Sequence, residues 1–405
     1  MLTTLQAEIQ VMYDLDHNHD SRSSRDRSVQ MIVKYLIQRG FDDVRNNIKN
    51  ALALLAWSEQ ENVKWRQGYL ESFVHLAGVM SPQMEELADF KRLSMVTRRN
   101  LAIAAKSLQV RIMETEQKLS SFDFSEFWVD DVNIKGAGSA VHQSYTAFRH
   151  LLIGYVTRTY GNWPPTPSQT WLNRKLLLAL QQDFGGLYDY LVDRDIIWDS
   201  AEERPGRKWE MVNPRNTEFR ADSDHLSLTD LLVQFDNRHA YLHIPHPYPL
   251  LPKEIPAMGG KGIERKKGLF GGLKKQKVDK NGGGEADVKA QLQLSIMFGD
   301  ATNVQKADVE FNAGNTLIDS FERFELSSST AAPSISPRDA RLGRWILLYG
   351  ILQVLSTLSV DVRDLKWTQG VNYFLCADLK RCPEWVVGAD GQKHMEAVEA
   401  SQLRS

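Results

Sequence analysis

The sequence predicts a mainly α protein: a multi-helix globular array with little or no β, interrupted by one long disordered basic insert. Three observations carry that expectation. Apolar residues recur every three or four positions over most of the chain, the spacing of a single helix face. The most apolar run, WILLYGILQVLSTLSV at 345–360, is shorter than the ~20 residues a membrane span needs and reads as a core helix. Residues 253–287 abandon the pattern for glycine and lysine.

The chain has 405 residues, enough for two or three domains or one large one, and can bury a substantial core. Hydrophobic residues are 42% and charged residues 25%, the balance of a globular protein in water. The net charge is −2, so any electrostatic partner must be met by a local patch. Cys376 and Cys382 form no CxxC pair and read as idle thiols of a reducing compartment. The opening MLTTLQAEIQVMYDLDHNHD lacks the basic and apolar regions of a secretory signal, so an intracellular, cytoplasmic protein is expected, with the nucleus as an alternative.

Residues 1–26 read as a flexible tail and 27–125 as an N-terminal helical region. Val29, Ile32, Val33, Leu36 and Ile37 form one helix face, stopped at Gly40. Asp42 and Asp43 suit the start of a second helix, with Val44, Ile48, Ala51, Leu52 and Leu55. A third carries Val63, Tyr69, Leu70, Phe73, Val74 and Ala77. Ser81-Pro82 is a start signal, and without Pro or Gly before Gly136 the stretch 83–119 reads as one helix. Its Leu101, Ala105, Leu108, Ile112, Thr115 and Leu119 make a heptad run too short for a zipper.

A central helical region is expected over 126–252, with helices at 139–160 and after the turn 161–167, the second capped by Ser168 and bent at Gly185-Gly186. Helices at 288–298 and 316–324, a loop at 327–337 and the apolar helix at 345–360 make the C-terminal region 288–388, packed on the central one. In that last helix Gly350, Gln353 and Thr357 form a narrow small-and-polar seam for a neighbouring helix. A minor β ribbon is expected from 209–212 and 371–375, and 389–405 reads as a second flexible tail.

Candidate chemistry is sparse. Asp14, Asp16 and Asn18 open like a calcium loop, but His19 stands where the turn glycine belongs and Arg25 where the bidentate Glu belongs. His239, His243 and His246, with His225 as a fourth candidate, have zinc-like spacing without HExxH, and polar loop histidines are the plainer account. Asp189 and Asp193 share a helix face and could split acid and base roles beside Tyr188, Tyr190 and Trp198. Arg194 and Arg204 nearby offer plain ion pairs instead. GxSxG, P-loop and strand-borne GxGxxG motifs are absent, which removes the common nucleotide enzymes, and no cofactor or metal is expected.

The insert carries the best functional signal. Lys261, Arg265, Lys266, Lys267, Lys274, Lys275, Lys277 and Lys280 face only Glu264 and Asp279, and Leu269, Phe270 and Leu273 lie between the basic clusters. Three readings compete: a disordered surface loop with no role, a contact with an anionic membrane at ~1 kcal/mol per basic residue near the surface with Phe270 inserting, and nucleic-acid binding or a nuclear import signal. One aromatic is poor for base stacking, so nucleic acid ranks behind the membrane.

The blocks WLNRKLLLALQQDFGGLYDYLVDRDIIWD at 171–199, SFERFE at 320–325, RDARLGRWILLYGILQVLSTLSV at 338–360 and VNYFLC at 371–376 resemble a domain family of filamentous fungi with no assigned function. The resemblance covers about residues 145–385, with the N-terminal helices less distinctive. It implies a fungal, intracellular, helical protein and transfers no site.

The expectation is therefore a non-catalytic helical scaffold with a protein partner, no transmembrane segment, and peripheral recruitment to an anionic surface through 261–280. An enzyme or small-molecule-binding accessory protein of a fungal specialised pathway, using a pocket near Tyr188–Trp198, is the alternative. A nucleic-acid-associated or nuclear protein comes third.

Overall fold

A computed structural model describes residues 2–15, 21–128, 139–165, 170–199, 210–212, 222, 226–241, 244–253, 282–304 and 316–387. Among them lie fourteen α-helices. These are α1 (Leu2–Asp14), α2 (Ser21–Gln38), α3 (Ile48–Ser58), α4 (Arg66–Gly78), α5 (Pro82–Glu85), α6 (Ala88–Lys91) and α7 (Met95–Ser121). After a 3-10 turn at Ser125–Trp128 come α8 (Ala140–Tyr160), α9 (Arg174–Leu191), α10 (Leu228–His239), α11 (Gly282–Asp300), α12 (Thr316–Ala331), α13 (Pro337–Ser359) and α14 (Glu384–Val387). Two short strands, β1 (Ile197–Asp199) and β2 (Glu210–Val212), pair antiparallel with Ile197 opposite Val212. The mainly α expectation stands. The ribbon's partner is different: 210–212 pairs with 197–199, and 371–375 forms no strand.

The chain divides into two compact units. Unit 1 comprises Met1–Gln117, Pro167–Ala179 and Val354–Ser405. Its core joins Leu52, Leu55 and Trp57 of α3 to Tyr69, Phe73 and Val74 of α4, with Leu101, Leu375 and Val386 closing it. Asn47 starts α3 by accepting from Asn50 N at 3.0 Å. Gly78 is required where α4 meets the C-terminal segment, since a Cβ there would sit 2.5 Å from the Phe374 carbonyl oxygen. Arg174 pairs with Asp361 and donates its backbone N–H to Asn372 O at 3.1 Å.

Two expectations change in this unit. Residues 2–14 and 21–38 are helical, not an irregular tail, because α1 is tied down at Gln6. That side chain is buried, accepts from Trp57 Nε1 at 3.2 Å and donates to Asn62 O at 3.5 Å. The stretch 83–119 is three helices, not one. Ser94 starts α7 with its hydroxyl accepting from Thr97 N at 3.1 Å, and Glu59 accepts from both Ser94 N and Ser94 Oγ at 2.8 Å. A cap supplied from 35 residues upstream makes the break that no Pro or Gly announces.

Unit 2 comprises Lys118–Thr166 and Leu180–Gln353. Within it α13 is the central element, with Trp345, Ile346, Leu347, Leu348 and Tyr349 all buried. Pro337 and Ser336 start the helix, the Ser hydroxyl accepting from Asp339 N at 3.0 Å. Gly343 lets α8 approach: a Cβ there would lie 2.2 Å from Val141 O. Gly350 takes the edges of Phe124 and Phe127, as the small-residue seam anticipated. By length and composition α13 could cross a membrane, and 78% of its most apolar window is buried inside the protein.

Two smaller corrections belong to α9 and α12. Asn173, not Ser168, caps α9, accepting from Leu176 N at 3.0 Å, so Trp171 and Leu172 precede the helix. Glu116 takes the Trp171 and Leu172 amides at 2.6 and 2.7 Å instead. α9 is one unbroken helix through Gly185-Gly186, where the bend is expected. α12 runs on to Ala331, into the expected 327–337 loop, and within it Ser327, Ser328 and Thr330 turn their hydroxyls back to the carbonyls of Phe324, Glu325 and Leu326.

Candidate functional site

The apolar face of α2 is wider than one packing partner covers. Ile32 and Leu36 are buried, while Val29 and Val33 are half-buried and Ile37 is exposed. These last three are spaced by four and form a row along the helix. A second row, Gln30, Lys34 and Gln38, runs beside it. Opposite lies the turn Val63, Lys64, Trp65 and Arg66, and together they line an open groove of about 430 Å³. That volume falls in the ~300–1,000 Å³ range of ligand sites.

The far wall is held rigidly. Trp65 precedes α4 and stacks edge-on against the buried Trp57, with ring centroids 5.9 Å apart. Gly68 makes room for it, since a Cβ there would meet the Trp65 ring at 2.2 Å. Three cations edge the groove. Lys64 pairs with Glu61 at 2.6 Å, and Arg66 with Asp364 at 2.9 Å. Among the described residues no acid lies within ion-pair reach of Lys34. α2 itself carries Arg22, Arg25, Arg27 and Lys34 against Asp26 alone.

The sequence-derived candidates do not converge. Asp193 is buried and caps a turn, accepting from Asp195 N at 3.1 Å, while its own N–H donates to Tyr248 O at 2.9 Å. Asp189 pairs with Arg194 at 3.0 Å on the surface. Tyr188 stacks on Trp345 at 5.6 Å and donates to His246 O at 3.0 Å; Tyr190 donates to Glu322. Burial pushes both phenols up, the neighbouring carboxylates adding to it. These rings are engaged in packing. The Trp198 side chain lies outside the described residues.

His239 ends α10, 3.6 Å from Glu126 Oε1 and stacked on Tyr241. His246 donates from Nδ1 to Ile196 O at 3.0 Å, which fixes its tautomer. His243 and His225 lie outside the described residues, as does the calcium-like run from Asp16. Among the described residues no three His, Cys, Asp or Glu side chains gather as a metal would need. The whole basic stretch, with Lys261, Arg265, Lys266, Lys267, Phe270, Lys274, Lys275, Lys277 and Lys280, also lies outside them, as does the 388–405 tail.

Three buried polar networks had no motif to announce them. In unit 1, His75 Nδ1 lies 2.7 Å from Tyr373 Oη and its Nε2 3.5 Å from Glu71 Oε2, all on buried or half-buried groups. In unit 2, Asp236 is fully buried in α10 and accepts from Tyr349 Oη at 2.6 Å and Gln353 Nε2 at 2.8 Å. Burial first, and the Asp236 charge second, raise the Tyr349 phenol well above its ordinary value, which keeps it a donor. The third network joins Arg341 and Arg344 to Glu325. The first ties α4 to the C-terminal segment, and the other two tie helices together in the interior of unit 2.

Residues 29–124 match the family DUF8004, a domain of unknown function. Every residue lining the groove lies inside that match. The matched stretch is the N-terminal helical part, upstream of the blocks at 171–376 on which the resemblance to a fungal family was drawn. Comparison with curated proteins and with solved structures finds no match.

Proposed function

We propose that this protein is a non-catalytic, intracellular interaction module whose docking surface is the α2 groove, and that its partner is an acidic amphipathic helix. The observation that carries the reading is the pair of parallel rows on α2. Val29, Val33 and Ile37 offer an apolar track, and Lys34 on the adjacent row offers the cation beside it. A guest helix that laid apolar anchors along the first row would bring its neighbouring row against the second. Acidic residues there would meet Lys34, Lys64 and Arg66, a match that speeds encounter and fixes register.

A designed 14-residue acidic amphipathic peptide, labelled with fluorescein, tests this by polarisation. Val33→Asp should weaken binding at least tenfold, and Lys34→Glu should weaken it and flatten its salt dependence. Equal binding by wild type and Val33→Asp would remove the groove reading.

A second reading keeps the basic stretch 261–280 as a contact with anionic lipid. It is favoured by α11, which follows that stretch directly and carries Val288, Leu292 and Ile296 exposed at a spacing of four. Basic residues drawn to the headgroups and an apolar row entering them are the two signals that peripheral attachment requires. Flotation with phosphatidylserine vesicles should fall when Lys266, Lys267, Lys274 and Lys275 are all changed to Gln. Unchanged flotation would exclude the stretch as the anchor. The fungal origin implied by the 171–376 blocks belongs to the same proposal.

A further inference from the structure

The groove calls for an acidic amphipathic helix, and the chain displays one. α1 carries Glu8 and Asp14 and no basic residue, where α2 carries four bases against Asp26. One side of α1 is committed to its own molecule: Gln6 is buried, and Ile9, Gln10 and Tyr13 are half-buried. The other side is apolar and open. Ala7, Val11 and Leu15 are spaced by four and exposed, Val11 at 57% and Leu15 at 69%. Leu15 extends the last turn, its N–H donating to Val11 O at 3.1 Å. Glu8 and Met12 run beside that row and are exposed as well. α2 presents the matching pair of rows, Val29–Val33–Ile37 beside Lys34. Rows of residues four apart on two helices interdigitate in the commonest mode of helix packing.

α1 does not fill the groove of its own chain. Gln6 ties it to Trp57 and Asn62, and its Ala7–Val11–Leu15 row faces solvent. Trp57 in turn stacks edge-on against Trp65 of the groove wall, so helix and groove are held as neighbours. An acidic apolar helix beside a basic apolar groove is a self-complementary surface. Two such surfaces related by a two-fold axis exchange helices in both directions at once, which closes the assembly at a dimer.

We infer that the occupant of the groove is a second copy of this chain: two molecules pair about a two-fold axis, each laying Ala7, Val11 and Leu15 of α1 on the Val29–Val33–Ile37 row of the other, with Glu8 toward Lys34. The inference rests on the groove being a docking site for acidic amphipathic helices, and it names the helix. The apolar rows supply the burial, and the opposite charges of α1 and α2 set the register. Any foreign acidic helix then competes with the dimer, so its binding is linked to dissociation.

Sedimentation velocity of the full chain decides the matter. Wild type should be a dimer that dissociates on dilution. Val11→Asp/Leu15→Asp, which spoils the guest helix, and Val33→Asp, which spoils the groove, should each give a monomer with helical circular dichroism intact. Mixing these two monomers should restore a weaker dimer, since one intact α1 then meets one intact groove. Glu8→Lys and Lys34→Glu should each raise the dimer dissociation constant at least tenfold, every substitution counting twice in a two-fold assembly, and the double variant should recover most of that loss. A dimer untouched by Val33→Asp sits on another face and overturns the inference. A dimer broken by Val33→Asp and untouched by the α1 substitutions has a different guest, which overturns it equally. A wild type still monomeric at about 100 μM also overturns it. If the designed acidic peptide binds that monomer, the groove reading stands alone; if the peptide binds neither wild type nor the α1 variant, both fall.

Discussion

Arg341 holds Glu325 in a bidentate pair, Nε to Oε1 at 2.7 Å and Nη2 to Oε2 at 2.9 Å, with both side chains shut off from solvent. Arg344 adds a third bond to the same carboxylate at 2.8 Å. Phe298 takes both guanidinium groups on its ring, at 5.6 and 5.7 Å. Two buried cations thus depend on one buried anion. Arg341 also donates from Nη1 to the Ala301 and Leu250 carbonyls, so each of its three nitrogens has an acceptor. Arg344 Nε finds no acceptor among the described residues, and burial pulls its guanidinium below the ordinary value.

The asymmetry predicts unequal mutants. Glu325→Gln strands both arginines and should destabilise by about 3–5 kcal/mol, the usual result of removing one side of a buried pair. Arg344→Met leaves a neutral Arg341–Glu325 pair and should lose much less. Urea denaturation of the two variants checks the order. A Glu325→Gln protein as stable as Arg344→Met would contradict the shared-anion account.

Glycine substitutions should divide by sign according to what a Cβ meets. Within a helix, Gly→Ala ordinarily stabilises by roughly 0.5–1 kcal/mol. Gly185 in α9 has nothing within 4 Å of its Cβ position, so Gly185→Ala should gain about that much. Gly343→Ala puts the methyl 2.2 Å from backbone oxygen that cannot rotate away, and should lose about 1–3 kcal/mol or more. Gly350→Ala, facing the Phe124 and Phe127 rings at 2.9 and 3.0 Å, should fall between them. Thermal midpoints of the three variants give the ranking directly.

Asp43 and Arg45 make a pH-dependent link in unit 1. Asp43 accepts from Arg45 Nε at 2.9 Å, Nη2 at 2.7 Å and the backbone N–H at 3.1 Å. The guanidinium hydrogen bond chiefly holds this carboxyl below its ordinary value, against the opposing pull of burial. A lowered folded value means the pair stabilises fully above the unfolded carboxylate value near ~3.9 and is lost as pH falls through the lower folded one. Arg45→Gln should therefore narrow its stability gap to wild type below about pH 4. Arg45 also donates to Gln369 O at 2.9 Å and lies over the Trp367 ring, and those losses do not vary with Asp43 protonation. A carboxyl titration of Asp43 by NMR supplies the check. A gap constant from pH 6 to 2.5 would remove the linkage.

The helical frame was legible because periodicity reports burial. The faces read at Leu52, Phe73, Leu101 and Leu187 are all interior, and the seam at Gly350 and Gln353 is occupied by a neighbour as its small residues implied. What escaped were features made by residues distant in sequence. Arg341 and Arg344 in RLGRWILL belong to no motif, and only Glu325 explains why they are buried. They stand where the charged stretch RDARLGR meets the apolar run from Trp345. The groove was half visible: Val29, Val33 and Ile37 fall on one helix face with Ile32 and Leu36. A face five residues wide was more than one partner would cover, and that excess marked the site. The acidic and histidine candidates are held separately, each by its own neighbours. Asp189, Asp193, His239 and His246 had suggestive spacing, but each has a local partner that absorbs it.

The break before α7 tests how far a tertiary contact overrides local preference. Met84 to Ser121 contains no Pro or Gly, so local propensity alone would carry one helix through. Glu59 intervenes by taking both Ser94 N and Ser94 Oγ at 2.8 Å, which orients the hydroxyl to accept from Thr97 N. Ser94→Ala removes the cap and should lose about 0.5–2 kcal/mol. Glu59→Ala leaves the hydroxyl in place but unoriented, and should lose part of the same amount. Because the two act on one set of bonds, the double variant should lose less than the sum, with a coupling of about 0.5 kcal/mol or more. Hydrogen exchange at the Thr97 amide should quicken in both single variants, since its acceptor is gone or misplaced. Strictly additive losses would mean that Glu59 and Ser94 stabilise α7 independently, and the start of that helix would then need another cause.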